Sequence, residues 1–183
     1  MNVLGGYLAL QTGLMYSSPR IKAVVASYPM IDMKSPWFNQ FKEKLMFNIP
    51  KLPEAFLNDH LATIHAGGIV TSADPPDRLN LMFSIIQQGR ILEFLGKDPS
   101  LFPLETIDSV KIFPPLFIYH GREDSVVPAE GTEKFVGKFT RNLPEAKLVF
   151  KLEPGEHGMD HETDTKEPWL QQGLELVTAE WLV

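Results

Sequence analysis

The run Pro114-Pro115-Leu116-Phe117-Ile118-Tyr119-His120-Gly121 constrains the fold more than any other part of the chain. Leu116 to Tyr119 is apolar and too short for a helix, with proline before it and His120-Gly121 after it. It is therefore predicted as a buried strand that His120-Gly121 breaks sharply. The turn beyond offers Glu123 and Asp124, and Val126-Val127-Pro128 leads into a helical pattern. In open α/β sheets, ligand sites lie at the carboxyl ends of the strands. An acid just past this strand either points at such a site or caps the next helix, and the residue types alone leave both readings open.

The flanking segments extend the same architecture. Ile21 to Ile31 is predicted as a strand, its Ala23 to Ala26 stretch unbroken and apolar as expected when both faces of a parallel sheet are covered. It stops at Pro29, and Asp32 follows where a carboxylate could reach a ligand, although a capping or turn role suits it better. Ala129 to Leu143 reads as an amphipathic helix, with Phe135, Val136, Phe139 and Leu143 on one face. Ala146 to Leu152 alternates as a half-exposed edge strand, and Pro168 to Val183 closes the chain as a helix. At the other end, Gly5-Gly6 opens a helix running to Tyr16, where small residues permit close packing against a strand or approach of a ligand to free N–H groups. No strand is read before it, so the chain starts within a strand-turn-helix unit.

Residues 36–110 are far longer than a crossover helix requires. They are predicted as a mainly helical insertion rich in Phe, Leu and Met, with a capped loop at Thr71 to Asp77 and a helix from Leu79 to Leu95 that is apolar nearly all round. Such a segment serves as a substrate-covering lid or as plain core. The expected architecture is α/β: about three parallel strands flanked by helices, from residues 1–35 and 111–183, with 36–110 as a helical cap.

Composition narrows the functional classes. A formal net charge of -6, with no basic cluster, argues against nucleic acid or an anionic membrane as partner. The absence of cysteine excludes a disulfide scaffold, a thiolate nucleophile and a Cys-zinc site. No apolar run approaches transmembrane length and no secretory leader is read, so a cytoplasmic location is expected by default.

Asp124 and His157 each follow a strand, and a right-handed crossover would make those strands parallel, bringing both residues to one edge of the sheet. That placement suits a histidine held in one tautomer by a carboxylate. His120-Gly121-Arg122-Glu123-Asp124-Ser125-Val126-Val127-Pro128 resembles the acid loop of the α/β-hydrolase family, in which the aspartate ahead of Val-Pro is the triad acid. Gly155-Glu156-His157-Gly158-Met159-Asp160 resembles the family's terminal loop, with the catalytic histidine before a glycine, and acid before histidine is the family's chain order. Gly5-Gly6-Tyr7-Leu8-Ala9-Leu10 resembles the helix start behind the nucleophile elbow in the esterase/lipase-like branch, whose elbow runs Gly-x-Ser-x-Gly-Gly.

The resemblance covers nearly the whole chain, as the family's C-terminal half with an inserted cap. It implies Asp124 and His157 as catalytic residues, Leu4 and Gly5 beside the substrate carbonyl, and a small apolar ester or lactone as ligand, with no cofactor or metal. Tyr28 and Asp32, after the first strand, complete the candidate substrate-binding set. The elbow alignment puts Val3 where the serine belongs. Valine has no lone pair with which to attack a carbonyl, so the chain is expected to be truncated or inactive as an ester hydrolase. Ser27 and Ser125 are poor replacements, since neither sits at a strained elbow.

Alternatives remain at this level. The His–Asp pair could serve a binding module, or a cyclase or lyase using acid/base chemistry. A metal site from His157 and His161 with neighbouring carboxylates would require a helix through Gly158. The strand near Ala23 to Tyr28 is left with a long apolar edge, for which a homo-oligomer paired through the sheet is expected.

Overall fold

A computed structural model describes residues 3–16, 21–41, 43–68 and 78–182. In chain order the elements are α1 (Val3–Met15), β1 (Val24–Ser27), α2 (Pro36–Asn39), α3 (Glu54–Thr63), α4 (Leu79–Gln87), α5 (Ile91–Leu95), α6 (Pro103–Thr106), β2 (Leu116–Gly121), α7 (Glu130–Asn142), β3 (Leu148–Glu153) and α8 (Pro168–Trp181). The loop expected at Thr71 to Asp77 lies outside the described residues. The chain forms two compact units, one from residues 1–32 and 97–183 and the other from Met33–Gly96.

The first unit is built on a three-stranded sheet in the order β1-β2-β3. Both pairings are parallel, with Val24 opposite Leu116 and Leu116 opposite Leu148. β2 is buried at every position, whereas β3 is half-buried throughout, as a central strand and an edge strand should be. Two strand ends differ from the sequence expectation. The first strand is only Val24–Ser27, because Tyr28 turns to a φ of 33°. The central strand runs on through His120 and Gly121, because Leu152 and Glu153 of β3 supply pairing partners that its own sequence does not reveal.

One apolar core brings Leu10 and Leu14 of α1 and Phe135 and Phe139 of α7 together with Val24, Ala26, Leu116 and Ile118 of the sheet. A second gathers Phe117, Tyr119 and Tyr28 with Val177, Trp169 and Leu170 of α8. Alternate residues of β1 and β2 divide between these clusters, as the two-residue period of a pleated strand requires. Gly6 lets α1 lie on β1: a Cβ there would clash with the Ser27 carbonyl oxygen. Residues 97–110, placed with the insertion by sequence, belong to this unit instead. Phe102 and Ile107 are buried there, and Gln11 and Tyr7 of α1 donate hydrogen bonds to the Ser100 and Leu101 carbonyls at 2.6 Å and 2.8 Å.

The second unit is helical. Among the described residues, Met33, Phe38, Met46, Leu57, Phe83, Ile86 and Ile91 are its buried apolar side chains. Buried Lys44 is satisfied by donating to the Gln40 and Ile86 carbonyls at 2.9 Å and 2.6 Å. The single helix expected over Leu79 to Leu95 is two, α4 and α5. Gly89 between them takes a φ of 67°, and its Cα lies where a side chain would meet the Gln40 backbone at 2.6 Å. Among the described residues no helix is long and apolar enough to cross a membrane.

Candidate active site

The loops after β2 and β3 leave the sheet at the same edge because the strands are parallel and in register through Gly121 and Glu153. Backbone hydrogen bonds then hold the loops together, from Arg122 N to Glu153 O at 2.8 Å and from Glu123 N to Gly155 O at 3.0 Å. Gly121 makes this approach possible: a Cβ on it would sit 2.5 Å from the Gly155 oxygen and 2.9 Å from that of Glu156. The Glu156 carboxylate adds a further tie, its Oε1 accepting from Ser125 N at 2.6 Å and from His157 N at 2.7 Å.

These ties bring Asp124 and His157 together. Asp124 Oδ2 lies 2.7 Å from His157 Nδ1, and both side chains are fully shielded from solvent. The other oxygen, Oδ1, accepts from the Val126 and Val127 amides at 2.9 Å and 2.7 Å. Asp124 therefore does not cap the next helix, whose cap position is Ala129 with no side-chain cap: Oδ1 holds the turn at Val126 and Val127, and Oδ2 meets His157. Nδ1 of His157 donates to the carboxylate, which assigns Nε2 as the basic nitrogen. Burial alone would push the Asp124 carboxyl up. The hydrogen bonds from His120 and His157, the nearby His157 charge and the Val127 amide outweigh it and hold the group down at about 2.

A second histidine reaches the same carboxylate. His120, fully buried in β2, places Nε2 3.1 Å from Asp124 Oδ2 and 2.9 Å from the Val127 carbonyl, with Nδ1 2.8 Å from Thr132 Oγ1 on α7. On the other side of His157 the Tyr28 ring packs edge-on, with centroids 4.5 Å apart. Tyr28 holds its positive φ although that costs a non-glycine residue on the order of 1–3 kcal/mol. Its amide donates to the Tyr119 carbonyl at 2.8 Å and its side chain is buried, so the strain is held by surrounding contacts. Burial and the charge of nearby Asp160 raise the Tyr28 phenol to about 12. Burial, with the 2.6 Å hydrogen bond Tyr119 donates to Asp160 Oδ2, likewise raises the Tyr119 phenol.

Of the other sequence candidates, Leu4 is exposed and Gly5 half-buried in the first turn of α1, which begins at Val3. Asp32 is turned to α7, where Lys134 Nζ meets its Oδ2 at 2.6 Å. The helix needed for a His157–His161 metal pair does not form, since Gly158 adopts a φ of 83° ahead of a short 3-10 turn. Among the described residues no group of three or more His, Asp or Glu side chains is arranged to hold a metal ion. His120, Thr132 and Glu156 were not singled out as site residues from sequence. His120 stands four residues before Asp124 and Glu156 immediately before His157, but a strand ending before His120 hides the first, and nothing local marks the second.

A parallel sheet with helices on both faces and a buried His–carboxylate pair beyond its strand ends is an α/β-hydrolase arrangement. No protein-family model matches the chain. It is 25% identical over 183 residues to a protein named probable carboxylesterase from a Phoma species, an alignment covering 97% of this chain and 57% of that relative. It is 25% identical over 130 residues to another of that description from Cochliobolus lunatus, covering 67% of this chain and 59% of the relative. Among solved structures it resembles a Staphylococcus aureus protein of unknown function, with a TM-score of 0.63 and 18% identity over 97% of this chain and 62% of the other. It also resembles a Pyrococcus furiosus esterase, with a TM-score of 0.52 and 18% identity over 97% of this chain and 51% of the other. The chain thus has an α/β-hydrolase-like fold and is similar in sequence to proteins named as carboxylesterases, and it spans 57% and 59% of the length of those two relatives.

Proposed function

We propose that this chain carries the acid–base half of a carboxylic-ester or lactone hydrolysing site, with His157 as the base, Asp124 as its orienting acid and Val3 at the nucleophile position. The observation that supports it best is the 2.7 Å contact between Asp124 Oδ2 and His157 Nδ1, made with both side chains withdrawn from solvent. In such a site, His157 Nε2 takes the proton from a serine hydroxyl as its oxygen attacks the ester carbonyl. Asp124 stabilises the imidazolium, and the proton passes to the departing alcohol. The backbone N–H of Leu4, at the start of α1, corresponds to one donor to the developing oxyanion.

Valine at position 3 cannot begin that sequence, so the acyl-serine route is not available through this residue. A fluorophosphonate probe tests the assignment. Wild-type protein is expected to remain unlabelled, and Val3→Ser to become labelled in a manner lost on the further change His157→Ala. Labelling of a wild-type serine, or a folded Val3→Ser protein that stays unlabelled, overturns the placement of Val3. We further propose that the β1 edge pairs with a second copy of the chain. A monodisperse monomer in sedimentation velocity contradicts this.

A further inference from the structure

We propose that His120 is a positioning residue for His157, acting through Asp124: it donates to the same carboxylate oxygen that receives His157 and so sets how that oxygen is presented. The inference deepens the acid–base reading and rests on it for any effect on turnover.

The proton on His120 can be assigned from its partners. Nε2 faces two acceptors, Asp124 Oδ2 at 3.1 Å and the Val127 carbonyl at 2.9 Å, so it must carry the hydrogen. Nδ1, 2.8 Å from Thr132 Oγ1, then accepts from the hydroxyl. Asp124 thus receives donors from two backbone amides on Oδ1 and two imidazoles on Oδ2. Rotation of the carboxylate would break donors on both oxygens. Because Oδ2 is shared, donation from His120 draws charge from the acceptor that holds His157 Nδ1. Thr132 Oγ1, on α7, satisfies the remaining ring nitrogen. A strut that only ties β2 to α7 would need the Thr132 contact and not the one to Asp124, and this difference can be tested.

Glutamine places an amide N–H near the position of Nε2, and asparagine places one near Nδ1. His120→Gln therefore keeps the donor to Asp124, whereas His120→Asn keeps only the side facing Thr132. With the Asp124 side-chain carbon labelled with 13C, its titration midpoint is expected to stay within a few tenths of a unit of wild type in His120→Gln. In His120→Asn it should rise by about one unit, with a moved downfield resonance for the His157 Nδ1 proton. His120→Leu, which keeps much of the bulk and has no donor, should move the midpoint in the same upward direction and serves if the asparagine variant does not fold. Equal behaviour of the Gln and Asn variants, or no movement in His120→Leu, overturns the proposal. None of these readouts needs turnover. If they come out as expected while Val3→Ser stays unlabelled, the ester-hydrolysing reading fails and the role of His120 in holding Asp124 stands.

Discussion

Acid should weaken this protein through Asp124. Its carboxyl is held at about 2 in the fold, against an ordinary value of 3.8. Because the folded value lies below the unfolded one, the stabilisation is fully present above about pH 4 and is lost as pH falls through the folded value near 2. The depression corresponds to about 2 kcal/mol. Burial opposes the ionised form, so this is what remains after four hydrogen-bond donors have overcome desolvation. Asp124→Asn removes the charge at nearly constant volume and also turns an amide N–H2 toward donors that expect an acceptor. That mismatch persists at every pH, so the titratable part is the change in the gap between the two proteins. Urea unfolding of wild type and variant from about pH 7 down to about pH 2 should show the wild type more stable at neutral pH, with the gap narrowing by about 2 kcal/mol, mostly below pH 4. A gap of constant size across that range would refute the reasoning, and a direct 13C titration placing Asp124 near 3.8 would do so independently.

Gly121→Ala should cost about 2–4 kcal/mol and separate the two loops, since the added methyl meets the Gly155 oxygen at 2.5 Å; unfolding midpoints and loss of the Asp124–His157 proton signal check both effects. Glu156→Ala leaves the Ser125 and His157 amides without their shared acceptor and should destabilise by about 1–3 kcal/mol, with faster hydrogen exchange at those two amides than at β2. Phe135→Ala, in the core between α7 and the sheet, should cost about 3–5 kcal/mol in urea unfolding.

The elements of the first unit were legible because each writes its own local pattern. Leu116 to Tyr119 could only be a strand, Phe135 and Phe139 fall on one helical face, and Leu148, Phe150 and Leu152 alternate. Parallel pairing followed from the helix between the strands. The ends of elements were less legible, because they depend on partners elsewhere. β2 continues through His120 only because β3 is there to pair with it, and the break after α4 falls at Gly89, where the Gln40 backbone occupies the space a side chain would need. The assignment of residues 97–110 failed for a related reason: their helical pattern is like that of the insertion, and the contacts from Tyr7 and Gln11 that hold them come from far along the chain.

For the site, sequence by itself determined the chemical inventory: an acid after one strand, a histidine after another, and no cysteine. Those are properties of residue type and order, and no folding can alter them. Only the tertiary structure decided that Asp124 divides its oxygens between a turn and two imidazoles, that Tyr28 is buried against His157, and that Asp32 is spent on Lys134. Hydrogen bonds and ring contacts act over a few ångströms, and residues brought that close here are up to about 130 positions apart in the chain. Local pattern carries no information about such pairs until the parallel sheet has set the loops side by side.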